Sequence, residues 1–140
     1  MGKDEDKIVN LLALAIKRAV AKSTLLVWSS AKDKAPVDKG QLRASIKMDV
    51  EKGEVWSDLD YAPHIEYGTV AHTILPKTSK VLAFKWKNAP MKPMSKDGTF
   101  FFKKINHPGT KAQPFMRPAL NENKKRILNI FKEEIKKVSA

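Results

Sequence analysis

Few side chains in this sequence are placed to do chemistry. There are three histidines, His64, His72 and His107, and no cysteine. No two histidines stand at the H-x-x-x-H spacing that sets two imidazoles against one metal from one helix face. A metal site would need the fold to bring His72 beside His107, with Glu66 as a third ligand. The competing reading has His107 order the Pro108-Gly109 turn and puts His64 on the face of a short helix, and the spacing favours it. Asp58 and Asp60, taken with Glu66, have the composition of a metal-dependent nuclease cluster. Aspartates just ahead of a short helix more commonly cap it. Ser45, Ser57 and Thr69 are hydroxyls without the G-x-S-x-G turn that exposes a nucleophile. Gly98 and Gly109 are isolated turn glycines and form no phosphate-cradling loop. The sequence therefore predicts no catalytic residue, no metal and no cofactor, and an enzyme is not expected.

The remaining chemistry is charge. The chain carries 27 Lys/Arg against 15 Asp/Glu, a net of +12. Residues 1–60 hold 11 and 10 of these, and residues 61–140 hold 16 and 5. A basic half of this kind suits DNA, an acidic protein surface or anionic lipid, or is simply a solvated lysine surface. Lys85, Lys87, Lys103 and Lys104 are candidates for a DNA-facing or interface surface. They flank Phe84, Trp86 and Phe100 to Phe102, and aromatics on a basic sheet can stack bases. Alternate aromatics on a strand also fill cores.

The elements that must carry these residues can be read from periodicity. Asp6 to Lys34 predicts one long helix, with Ile8, Leu11, Leu12, Ala15 and Ala19 on one face. Asp4, Glu5 and Asp6 suit the positive end of its dipole. Leu25 to Trp28 widens the apolar surface and predicts burial on several sides, or a partner surface. Asp38 followed by Gln41 resembles a capping box for a second helix over residues 39–45. Ile46, Met48 and Val50 alternate with charges, Lys52-Gly53 turns, and Glu54 to Ser57 returns as a hairpin. Tyr61 to Tyr67 reads as a short helix ended by Gly68. Residues 70–80 and 88–98 read as loops, and strands over 81–87 and 99–105 pair as a long hairpin. A last helix begins near Arg117, with a core face of Leu120, Ile127, Phe131, Ile135 and Val138. The expected fold is α+β: long N-terminal and C-terminal helices packed on a small, mostly antiparallel sheet, in one domain over residues 1–140. The apolar run Ile8 to Ile16 is far too short for a bilayer span of roughly 20 residues, and the acidic start does not suit a signal peptide. No membrane association is expected, and the chain reads as soluble and intracellular when made.

Three segments carry a resemblance when taken together and in order. The first is Ala35-Pro36-Val37-Asp38-Lys39-Gly40-Gln41-Leu42-Arg43-Ala44-Ser45-Ile46. The second is Tyr61-Ala62-Pro63-His64-Ile65-Glu66-Tyr67-Gly68-Thr69. The third is His107-Pro108-Gly109-Thr110-Lys111-Ala112-Gln113-Pro114-Phe115-Met116-Arg117-Pro118-Ala119-Leu120. They resemble the P-V-D-x-G-x-L-R-x-S-I, Y-A-x-x-x-E-x-G-T and P-F-x-R-P-A patterns of the gene-product-ten-like family of the HK-ninety-seven type of phage. Lys39 departs from the threonine common at its position. The resemblance spans Ala35 to Leu120 and implies a tail-completion or neck protein of a long-tailed phage or prophage. It implies a virion component assembled in the host cytoplasm, with copies of itself in a ring and head-closure, connector and tail proteins as neighbours. Non-specific contact with packaged DNA would fit the charge. Loops 70–80 and 88–98 are the expected contact segments. Read as structure, Pro36 and Gly40 turn the chain out of the first helix, Asp38 caps the second, and Pro114 and Pro118 aim the last. Phe115 anchors that last helix.

Overall fold

The structure, a computed structural model, describes residues 2–37 and 40–139. The expected cap at Asp38 and helix start at Lys39 lie outside the described residues. The fold is α+β, with elements in the order α1 (Lys3–Lys34), α2 (Gln41–Ser45), β1 (Ile46–Asp49), β2 (Glu54–Ser57), α3 (Ala62–Tyr67), β3 (His72–Ile74), β4 (Leu82–Lys85), β5 (Thr99–Phe102), β6 (Ile105–His107), α4 (Met116–Asn121) and α5 (Lys124–Ser139). The strands form three two-stranded antiparallel ribbons, β1–β2, β3–β6 and β4–β5. The chain divides into two compact units, one of residues 1–67 with 112–140 and the other of residues 68–111.

The first unit is built on α1, a helix of 32 residues and so about 48 Å long. Asp4, Glu5 and Asp6 occupy its first turn and Lys32 and Lys34 its last, both on the favourable side of the dipole. Its buried residues are small: Ala15, Ala19, Ser23, Thr24 and Ala31. Ala15, Ala19 and Ser23 recur every fourth residue, so they share one face and let α5 pack closely along it. The expected larger apolar face is not buried. Ile8, Leu11 and Leu12 are exposed, as is Leu25: Leu11 continues the every-fourth series of Ala15 and Ala19 one turn toward the N-terminus, and that face is buried only from Ala15 onward.

The core of this unit gathers Ala31, Ala35, Leu42, Ile46, Ala62, Phe115 and Ala119. Trp28 packs against it and donates its indole N–H to the carbonyl of Ile46 at 3.0 Å, which ties α1 to the start of β1. The β1–β2 hairpin forms as expected, its register sets Met48 opposite Val55, and its turn uses Gly53 at a φ of 69°.

The single C-terminal helix expected from the sequence is two. Asn123 is buried, and its side-chain amide donates to Ala119 O at 2.7 Å while its backbone N–H reaches Leu120 O. That tighter turn breaks the ladder between α4 and α5. The break also changes the buried face. Glu134 is buried while Leu120 and Ile135 are exposed, and Ile127, Phe131 and Val138 are half-buried. The Lys22 and Lys137 ammonium groups make the burial of Glu134 tolerable, and Lys22 holds its carboxyl below the usual range.

The second unit holds two ribbons of strand. β4 and β5 pair as expected, with Leu82 opposite Phe102 and Phe84 opposite Phe100. The stretch 99–105 is not one strand: β5 ends at Phe102 and β6 begins at Ile105. β6 pairs with β3, so residues 72–74, expected within a loop, are a strand.

Candidate functional site

The two parts of the sequence marked by Glu66 and Arg117 meet at one carboxylate. α4 begins with Phe115 at its N-cap position and has no side-chain cap of its own. The first-turn N–H groups of a helix need acceptors from outside. Pro118 removes one of those donors. The others point at Glu66. Its Oε2 accepts from Phe115 N at 2.8 Å and Met116 N at 2.9 Å. Its Oε1 accepts from Arg117 N and Arg117 Nε, both at 3.0 Å. Arg117 Nη2 also donates to the carbonyl of Glu66 at 3.0 Å. Glu66 is 5% exposed. Burial pushes its carboxyl up, but the three backbone N–H groups and the guanidinium outweigh this and hold it below the ordinary 4.5. Arg117 also lies over the Tyr67 ring at 4.6 Å. Beside this site, Gln113 N donates to Ile65 O at 2.8 Å.

The other marked residues of this unit are structural in the same sense. Leu42, Ile46, Ala62 and Phe115 are core. Gly40 holds the N-cap position of α2 at a φ of 75°, a conformation that side-chain-bearing residues adopt at a cost. Ser45 Oγ lies 2.6 Å from Ser57 Oγ and donates to Leu42 O, joining α2 to the hairpin. Pro36 and Pro118 are half-buried, and Tyr61 and Pro114 are exposed.

In the second unit, Thr69 and Thr110 exchange both backbone hydrogen bonds at 3.0 Å. Gly109, at a φ of 85°, lies so near that a Cβ there would come within 2.4 Å of Thr69 O. His107 Nδ1 accepts from Gly109 N at 3.0 Å, so His107 does order the Pro108-Gly109 turn. Gly68 closes α3 at a φ of 74°. The β3–β6 register sets His72 opposite His107, with ring centroids 5.0 Å apart. Their Nδ1 atoms are engaged with Val70 O and Gly109 N respectively. Among the described residues, no group of three His, Asp or Glu is placed to hold a metal. Glu66 is spent on α4, and Asp58 on Lys47 and the Trp56 indole. Lys85, Lys87, Lys103 and Lys104 are all exposed.

Sequence reasoning marked Glu66 and Arg117 without pairing them. A signal was available: a helix that starts at Phe115 between two prolines, with no Ser, Thr, Asp or Asn at its head, must borrow an acceptor from elsewhere. Asn123 and Glu134 were missed because polar types do not announce burial.

Compared with protein-family models, curated proteins and solved structures, the chain matches none. No described helix is long and apolar enough to cross a membrane.

Proposed function

We propose that this protein is a structural component of a tailed phage or prophage particle, one copy of a ring in the neck that completes the tail and joins it to the head. The observation that carries the reading is where the residues of the resemblance lie. Leu42 and Ile46 from the first segment, Ala62 and Glu66 from the second and Phe115 and Arg117 from the third build one core and one buried capping site. Residues used this way specify a shape. That suits a protein whose work is to fit between neighbours.

The outer half of α1 supplies the second support. Ile8, Val9, Leu11, Leu12, Leu14 and Ile16 are between 38% and 63% exposed. So many large apolar side chains in consecutive turns mark a contact surface. A ring built head-to-tail would cover them with a second copy. The particle is where such a protein resides. Immunogold labelling of purified particles tests the assignment: label at the head–tail junction is expected, and particles free of the protein would overturn it.

A further inference from the structure

Residues 68–111 contain nine lysines and a single acidic residue, Asp97. This unit therefore carries +8 of the chain's +12. Among the described residues, none of the nine lysines is in an ion pair. Asp97 is engaged by Ser95 and by Thr99, whose Oγ1 donates to it at 2.9 Å. Asp97 offsets one of these charges, that of Lys85 beside it; the other eight lysines have no acidic residue left to them in their own unit.

The β4–β5 ribbon has two unlike faces. Alternation places Leu82, Phe84, Phe100 and Phe102 on one. There Phe84 stacks on Phe100 and Phe102 with centroids 6.2 Å and 5.7 Å apart, and Phe100 is fully buried. That face is the unit's own core. The opposite face carries Ala83, Lys85, Thr99 and Phe101. Phe101 is 40% exposed, and its cross-strand partner Ala83 is too small to cover it. Lys87 follows one strand, and Lys103 and Lys104 follow the other. A solvated lysine surface gains nothing from a bare phenyl ring in its midst.

We propose that this outer face, together with the exposed segments that follow its two strands, binds single-stranded nucleic acid. The ammonium groups of Lys85, Lys87, Lys103 and Lys104 take the phosphates, and the Phe101 ring stacks on an unpaired base. Phosphates supply most of the affinity through released counterions. A base has a π-face whatever its identity, so stacking adds affinity without sequence choice. The site stands on the second unit alone and does not depend on the neck reading.

The test is fluorescence anisotropy of a labelled oligo-dT strand with the full chain across a salt series. Three or four phosphate contacts predict a slope of log affinity on log salt of about −2 to −3. The pair Lys85→Glu and Lys103→Glu is expected to cost about tenfold and to flatten that slope by about 1.4. The control pair Lys124→Glu and Lys125→Glu, on α5, is expected to cost much less. Phe101→Leu is expected to cost about fivefold or more on oligo-dT and nothing on a duplex of equal length. Phe101→Tyr keeps the ring and is expected to retain binding, which separates stacking from a folding defect. Several results would each overturn the proposal: no binding at physiological salt, equal loss from both lysine pairs, or an unchanged Phe101→Leu. Poly-glutamate competing as well as oligo-dT would do so too, by making the face a dock for acidic protein.

Discussion

Glu66 accepts four hydrogen bonds through its carboxylate, three of them from backbone N–H groups at the head of α4. The ion pair with Arg117 is a minor part of this. The Arg117 side chain is half exposed, where solvent screens the attraction. The backbone donors matter more, because Phe115 is buried and its N–H has no water to turn to. Glu66→Gln turns one acceptor into a donor that faces donors. It should lower unfolding free energy by about 2–3 kcal/mol, while Arg117→Lys should cost under about 1 kcal/mol. Chemical denaturation checks both, and equal losses would contradict the division. The pH dependence has a fixed sign. A carboxyl held below 4.5 in the fold contributes stability that is present above that value and lost as pH falls through the folded pKa. The difference between wild-type and Glu66→Gln stability should therefore narrow below about pH 4.5, and a constant difference down to pH 3 or so would count against the assignment.

At the scale of elements, α1 has one apolar stripe that is buried from Ala15 onward and open over its earlier turns, a difference along the helix that periodicity does not record. Ala15 and Ala19 are buried against α5, whereas Leu11 and Leu12 look outward. Ala19→Leu should overpack the helix pair and cost about 1–3 kcal/mol. Leu11→Ser with Leu12→Ser should leave the isolated chain's denaturation midpoint nearly unchanged, within about 0.5 kcal/mol per site, yet lower the yield of complete particles. A large stability loss from the leucine pair would mean that this face belongs to the fold. What was legible in the sequence was local. The β1–β2 hairpin follows from alternation around Lys52-Gly53, and α3 from a short run closed by Gly68. What was illegible was paired at a distance. β3 is three residues whose partner, β6, lies more than thirty positions on, and nothing in His72-Thr73-Ile74 alone marks a strand. The split of the last helix depends on where Asn123 sends its amide, which periodicity does not record.

For the whole molecule, the candidate site was legible as a set of positions and not as an arrangement. Ala62, Glu66, Phe115 and Arg117 stood out through the resemblance that their segments carry. That one carboxylate would gather the head of a helix depended on folding the chain back on itself. The resulting molecule keeps Leu42, Ile46, Ala62, Glu66 and Phe115 inside and presents two surfaces: exposed leucines and isoleucines on α1, and a lysine-rich pair of ribbons. A ring subunit needs a surface like the α1 face to meet its neighbours, and the proposed role in the neck rests on that face together with the placement of the residues of the resemblance. Electron microscopy of lysates from a tailed phage or prophage with this gene deleted tests the role most directly. Filled heads beside separate or malformed tails, restored to joined particles by supplying the gene in trans, are the predicted result. Normal, joined and infectious particles from the deletion would contradict it.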